Sequence, residues 1–291
     1  MSQARIAAAF ADAGVEGWLH AVDIDAPGRE IGLRADDPVV LSSVFKLPLL
    51  VELWRQVDAG LLSATTAVDL PPATRTSGPT GIAAMRDPVR MSVRDLAQLM
   101  ISVSDNAAAD ALFDLVGERA INARLDALGL DATRVVGCCR DLFAAMQQDA
   151  GTEEPDELAL RLADPDVRAR LRVLDPARSS RSTPRQMTAL LGAVWRDGAA
   201  SAEACAEMRR ALALQVWPHR LASGFPSDDV RVSGKTGTLP GVRNEVGVVE
   251  RPDGRRFAVA VFTRTDSPAF VLPQADAAIG RAARVAIDAL D

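Results

Sequence analysis

Apolar residues alternate at Trp18, Val22 and Ile24 with His20 in phase, a strand pattern with one buried face. Pro27-Gly28 marks a turn, and a second short run beginning near Glu30 completes a hairpin. Toward the other end, Val246 and Val248 lie in one run and Phe257, Val259 and Val261 in another. Between them, Arg251-Pro252-Asp253-Gly254 is a tight-turn sequence, with Pro presetting φ and Gly free to take a positive one. With the run from Val230 to Thr236, the two ends of the chain supply about five strands. Their short connections imply antiparallel pairing. No crossover pattern of a dinucleotide-binding fold is present.

The middle of the chain changes period. Val93, Leu96, Leu99, Met100 and Val103 follow helical spacing, as do Leu112, Leu115 and Val116, and Gly129 stops a further helix carrying Ile121 and Leu125. A last helix shows Ile279, Ala282, Ala283, Ala286 and Leu290 on one stripe, and a first shows Ile6 and Phe10 before Gly14. Either can cover a sheet face. Residues 1–40 and 190–291 therefore read as an α/β sandwich, and 41–189 as an all-α region sharing a cleft with it. Within the latter, residues 147–182 are rich in Asp, Glu, Pro and Arg and form either a long loop or a short helical insertion. The fold class expected is α+β, an antiparallel sheet of about five strands flanked by helices, with an all-α region attached.

Composition narrows the function classes. At 291 residues, 48% apolar and 25% charged, the chain buries a core without staples. A net charge of -6 with no basic stripe argues against a nucleic-acid partner. No apolar stretch has the length of a membrane span. Residues 1–12 carry charges where an export signal has its apolar run, so a cytoplasmic location is expected for the chain as written, and an exported one if a leader has been removed. Cys138, Cys139 and Cys205 make a poor disulfide framework, and with His20 and His219 they offer no zinc-ligand spacing. No metal or cofactor is expected, and the chain reads as a monomer. Of the 33 basic residues only Lys46 and Lys235 are lysines. Genomic bias toward arginine is one account; the other is chemical, since an ammonium can lose its proton in a suitable site and a guanidinium effectively cannot.

Both lysines fall in short motifs. Ser43-Val44-Phe45-Lys46 opens a segment that reads helical through Leu49, Leu50, Leu53 and Trp54, and three-residue spacing puts both side chains on one face. At a helix start, nearby free N–H groups would stabilise negative charge on an attacked carbonyl. Pro48 forces a bend or a late start. Taken alone, Ser43 reads equally as a cap. Ser104-Asp105-Asn106 joins two helices, where cap and turn roles are also natural. Lys235-Thr236-Gly237 ends a strand-like run; a phosphate loop is rejected because Asp229 stands where its first glycine would be and no helix follows.

Together, in this order, Ser-x-x-Lys, Ser-Asp-Asn and Lys-Thr-Gly resemble the motif set of serine β-lactamases and penicillin-binding proteins. Met91 to Leu96 leading into Ser104-Asp105-Asn106-Ala107-Ala108 resembles the class A helix approaching that turn, and Ser182-Thr183-Pro184-Arg185 resembles the segment after its omega loop. The absence of tyrosine disfavours class C. The resemblance implies a β-lactamase/transpeptidase-like fold and an acyl-Ser43 intermediate. Lys46 would orient or deprotonate Ser43, Ser104 would relay a proton, and Asn106 would hold the substrate amide. Lys235 and Thr236, with Gly237 beside them, would take the substrate carboxylate, and the N–H groups of Ser43 and Thr238 would form the oxyanion hole. Arg220 or Arg243 is a candidate for added charge, an exposed surface role being the alternative for either.

One departure stands out. Class A enzymes carry a Glu-x-x-x-Asn on the omega loop whose glutamate activates the deacylating water, whereas the run after Thr133-Arg134 here reads Val135-Val136-Gly137-Cys138-Cys139-Arg140-Asp141-Leu142. Asp141 is the candidate substitute, with a shorter reach. Cys138-Cys139 reads as packing or loop, His20 as structural, and Trp217 as either site lining or core. The expected activity is class A-like opening of a β-lactam amide. The alternatives are an esterase or D-alanyl-D-alanine-type peptidase, or a β-lactam-binding sensor with slow or absent deacylation. The partner is in each case a small-molecule β-lactam or a related ester or amide.

Overall fold

The structure is a computed structural model describing residues 2–291. Five strands, β1 (Glu16–Asp23), β2 (Glu30–Leu33), β3 (Arg231–Leu239), β4 (Val242–Glu250) and β5 (Arg256–Arg264), form one antiparallel sheet in the order β2-β1-β5-β4-β3. The two ends of the chain meet at the β1–β5 seam, from Glu16 opposite Arg264 to Asp23 opposite Phe257. Gly241, at φ +72°, makes the β3–β4 turn.

Eleven helices surround the sheet among the described residues. They are α1 (Ser2–Ala11), α2 (Lys46–Asp58), α3 (Val93–Ser102), α4 (Asn106–Val116), α5 (Glu118–Ala127), α6 (Cys139–Ala150), α7 (Pro155–Arg161), α8 (Pro165–Arg170), α9 (Pro184–Trp195), α10 (Ala202–Ala213) and α11 (Pro273–Asp288). None is long and apolar enough to cross a membrane. Period-2 alternation in the strands sends Leu19, Ala21, Val249, Phe257, Val259 and Val261 to one face. There they pack on Ile6 and Phe10 of α1 and on the small-residue stripe Ala278, Ile279, Ala282, Ala283 and Ala286 of α11. Small residues let that helix lie close to the sheet. Val246, Val248, Ala258, Ala260 and Phe262 go to the other face, where Met187, Leu190, Leu191 and Val194 of α9 lead into a core shared with α2, α3 and α4. Each fully buried Leu, Ile or Val is worth about 1.5–3 kcal/mol over exposure, so both faces hold the sheet firmly.

The region between 41 and 189 is not purely helical. Ala67–Leu70 pairs with Val89–Ser92, and Val39–Val40 with Arg181–Ser182. Four- and two-residue ribbons are too short to show alternation in a sequence. Residues 147–182 resolve into α7, α8 and a 3-10 turn, Arg172–Leu174. Leu158, Val167, Leu171 and Val173 bury against Met146 of α6 and against Leu239 and Val242 at the β3–β4 turn, while Arg172 is bridged to Asp149 at 2.6 Å. The cleft floor is therefore backed by this segment on one side and by the helical core on the other.

Candidate active site

The chain reaches the cleft through Val40 and Leu41 and then makes a 3-10 turn, Ser42–Phe45, before α2 begins at Lys46. Pro48 explains the late start. It falls within the first turn of α2, where backbone N–H groups have no intrahelical acceptor and a missing one costs nothing. Ser42 has φ +51° and is buried with Val44 and Phe45, which leaves Ser43 the only half-exposed residue of the turn. Two contacts from the sheet fix its place. A Cβ on Gly237 would lie 2.8 Å from the Leu41 carbonyl oxygen and 3.3 Å from the Ser42 Cβ, so only glycine lets edge strand β3 close on the turn. From β4, the Asn244 amide donates to the Val40 carbonyl at 3.0 Å.

Ser104 sits between α3 and α4 at φ +60°, uncommon for a residue with a side chain. Asp105 holds it there by capping α4, its carboxylate accepting from the Ala108 N–H at 3.1 Å and also from Ile82 N–H. The cap role expected of this tripeptide is thus met by Asp105, while Ser104 and Asn106 face the lysines. Both lysines converge on it and both are wholly buried. Lys46 Nζ donates to the Ser104 carbonyl at 2.7 Å and to Asn106 Oδ1 at 2.9 Å, and lies 3.4 Å from Ser104 Oγ. Lys235 Nζ donates to Ser104 Oγ at 2.9 Å and to its neighbour's Thr236 carbonyl at 2.7 Å. One hydroxyl therefore bridges two amines from opposite layers. Burial, then the Lys46 charge, then Arg220 push the Lys235 pKa well below the usual lysine range. An anion beside such a cluster would favour its charged form.

Arg220, buried before the 221–224 turn, joins that cluster. It donates to Thr238 Oγ1 at 2.8 Å and to the Gly237 carbonyl at 2.9 Å, with Asp276 of α11 at 2.7 Å. Thr236 N–H leaves the sheet edge, donating to Gln215 Oε1 at 3.0 Å. Two residues on, the Thr238 N–H points out of the same open edge, toward the Ser43 turn.

Two candidates lie elsewhere. Arg243 is buried, not exposed as a surface arginine would be, and its guanidinium is spent on carbonyl oxygens of Leu239, Val242, Ala269 and Phe270. It staples the β3–β4 turn to the loop before α11. Asp141 is exposed and caps α6, its carboxylate accepting from the Cys138 N–H at 2.8 Å; that bond, the largest influence on it, lowers its pKa. A carboxylate bound to its own helix end is not aimed at the cleft. Glu157 is likewise occupied, by Thr152 and Arg161.

What the omega-like segment does bring to the cleft is Cys139. Asp110, one turn after Asn106 on α4, accepts from the N–H groups of Cys139 at 2.7 Å and Arg140 at 2.9 Å, pinning the start of α6 there. The Cys139 thiol then meets Asn106 Oδ1 at 3.4 Å, on the oxygen that Lys46 also holds. Burial pushes its pKa up to about 11 despite the nearby lysines, so it keeps its proton at neutral pH. In the sequence Cys139 reads as packing or loop rather than as a nucleophile; the signal for its place here is its position in the run where a carboxylate is expected. His20, expected as structural, is buried with Nδ1 2.6 Å from Thr188 Oγ1. Trp217 is half-exposed and meets His219 edge to face, at 6.0 Å between ring centres.

The sequence pattern of the β-lactamase enzyme family matches residues 2–290. The β-lactamase regulatory protein BlaB of Streptomyces cacaoi is 34% identical over 272 residues, which cover 88% of this chain and 87% of that protein. A crystallised β-lactamase of Sphaerobacter thermophilus is 28% identical with a TM-score of 0.78, over 99% of this chain and 96% of that one. A mutant of the last common ancestor of Gram-negative bacteria class A β-lactamase is 25% identical with a TM-score of 0.77, over 99% and 98% of the two chains. Matched by that family's pattern along nearly all its length, and sharing the β-lactamase/transpeptidase-like fold, the chain belongs to the β-lactamase enzyme family.

Proposed function

We propose that Ser43 is acylated by β-lactams and that the acyl group leaves slowly, so that the protein captures these compounds covalently. In the first step the Ser43 hydroxyl adds to the lactam carbonyl. Its proton passes to the Lys46–Ser104 pair, and the developing oxyanion faces the N–H groups of Ser43 and Thr238, each worth roughly 3 kcal/mol. The C–N bond then breaks, and Ser104 Oγ, bonded to Lys235 at 2.9 Å, delivers a proton to the leaving nitrogen. Lys235, Thr236 and Arg220 receive the substrate carboxylate, which relieves the mutual repulsion of the cations. Asn106 offers its amide to the substrate side chain.

The observation that carries slow release is Cys139. Hydrolysis of an acyl-enzyme needs a base within roughly 2.6–3.2 Å of the attacking water, and a protonated thiol supplies none. Asp141 is turned to its helix cap and Asp110 to two backbone N–H groups, so neither carboxylate is free for the task. Similarity to BlaB, a protein named for regulation rather than hydrolysis, supports a sensing or capturing role. A hydrolytic second reading draws on the similarity to β-lactamases at 28% and 25% identity.

A chromogenic cephalosporin tests this. The expected result is a burst of colour equal to the amount of protein, followed by a slow phase. Sustained turnover without an accumulated adduct would establish the hydrolytic reading instead, and no colour and no adduct would refute acylation.

A further inference from the structure

Beneath the Lys-Thr-Gly strand lies a fully buried acid with no part in the steps above. Glu245 is in β4, opposite Thr236 in the β3–β4 register, so it points to the sheet face away from the Lys235 side chain. Its partners fix its chemistry. The Thr236 N–H can only donate, so Gln215 must present Oε1 to it and its amide NH2 to Glu245 Oε1. The other carboxylate oxygen accepts from the Leu221 N–H at 2.6 Å. Both oxygens thus accept hydrogen bonds from N–H donors, an arrangement suited to a carboxylate.

We propose that Glu245 is a positioning residue of the cleft, a buried counter-anion that holds Thr236 through Gln215 and supplies negative charge to the Lys235 side of the cation cluster. This rests on the acylation reading for its purpose, though not for its test. The groups whose charge acts on Lys235 are Lys46 from α2, Arg220 from the segment before β3, Cys139 from α6 and, from the opposite face of the sheet, Glu245 of β4. Arg220 already has Asp276 at 2.7 Å, and the Cys139 thiol is protonated at neutral pH. Among these groups that leaves Glu245 to offset the charge beside Lys235. Around Glu245 itself, burial raises the pKa, while the Leu221 N–H, Arg220, Gln215 and Lys235 all oppose the rise. The acid and the lysine are each costly to bury as ions and each favours the other's charged form.

The chain's two lysines make a direct test available, because lysine labelled with 13C at Cε gives one signal each from Lys46 and Lys235. The Lys46→Arg variant assigns them. In the full chain, Glu245→Gln should move the Lys235 titration midpoint to lower pH, and Glu245→Asp should restore part of the shift. Gln215→Ala, a half-exposed site that serves if Glu245→Gln does not fold, should shift it in the same direction by less. A Lys235 midpoint unmoved in the variants that fold would overturn the proposal, even where thermal stability falls. Labelling of Ser43 by benzylpenicillin, measured separately, tests the acylation reading, so either failure is recognised by itself.

Discussion

At the scale of single residues, the proposed capture divides into steps that single substitutions separate. Ser43→Ala should abolish covalent labelling by a fluorescent penicillin, and Lys46→Arg should slow it by about 10²–10⁴-fold, because a guanidinium neither fits the Ser104–Asn106 cradle nor becomes a neutral base. Retained labelling in Lys46→Arg would contradict the role given to that amine. Cys139→Glu places a carboxylate beside Asn106 and should shorten the adduct lifetime by about 10²-fold or more, whereas Cys139→Ala should leave it unchanged. The lowered pKa of Lys235 gives a pH signature with a definite sign. Its ammonium is present below that pKa and lost as pH rises through it, so capture of carboxylate-bearing β-lactams should fall at a lower pH than an ordinary lysine would allow. Comparing acylation rates for a penicillin and its carboxyl ester across alkaline pH checks this, since only the free acid should show that dependence.

At the scale of elements, the strands and long helices were legible because each carries its period over enough residues to bury one face. Trp18 to Val22 and Phe257 to Val261 are such cases, and both lie in the sheet, with Ile24 just past the end of its strand. Short elements were not. The Ala67–Leu70 ribbon spans too few residues to alternate, and the charged stretch around α7 and α8 hides its apolar contacts, Leu158, Val167 and Leu171, among arginines and acids. Pro48 predicts a bend or a late start, and the structure has a 3-10 turn carrying Ser43 ahead of α2. The tether from Asn244 had no local signal, since its partner Val40 is far along the chain. Asn244→Ala should cost about 1–3 kcal/mol by leaving that buried carbonyl unpaired, seen as a lower denaturation midpoint, and should slow labelling in the folded protein by loosening the Ser43 turn.

At the scale of the whole molecule, the cleft exists because the two chain ends close into one sheet whose edge strand β3 is left facing a helical layer inserted between them. Three motifs far apart in sequence meet there, and the clue to their meeting was a count: two lysines among many arginines, both bonded through Ser104 Oγ. The gathering of the three motifs was thus readable from residue type and order. The site's departures were not, because a cap such as Asp141 and a cleft residue such as Cys139 differ only in which way the first turn of α6 faces. Capture rather than turnover is the central claim, and it is tested most directly by following the intact mass of the protein after a single addition of benzylpenicillin. The account predicts a gain of one penicillin per chain, located on Ser43, that outlasts removal of the free compound. Rapid return to the unmodified mass with hydrolysed penicillin in solution would contradict it.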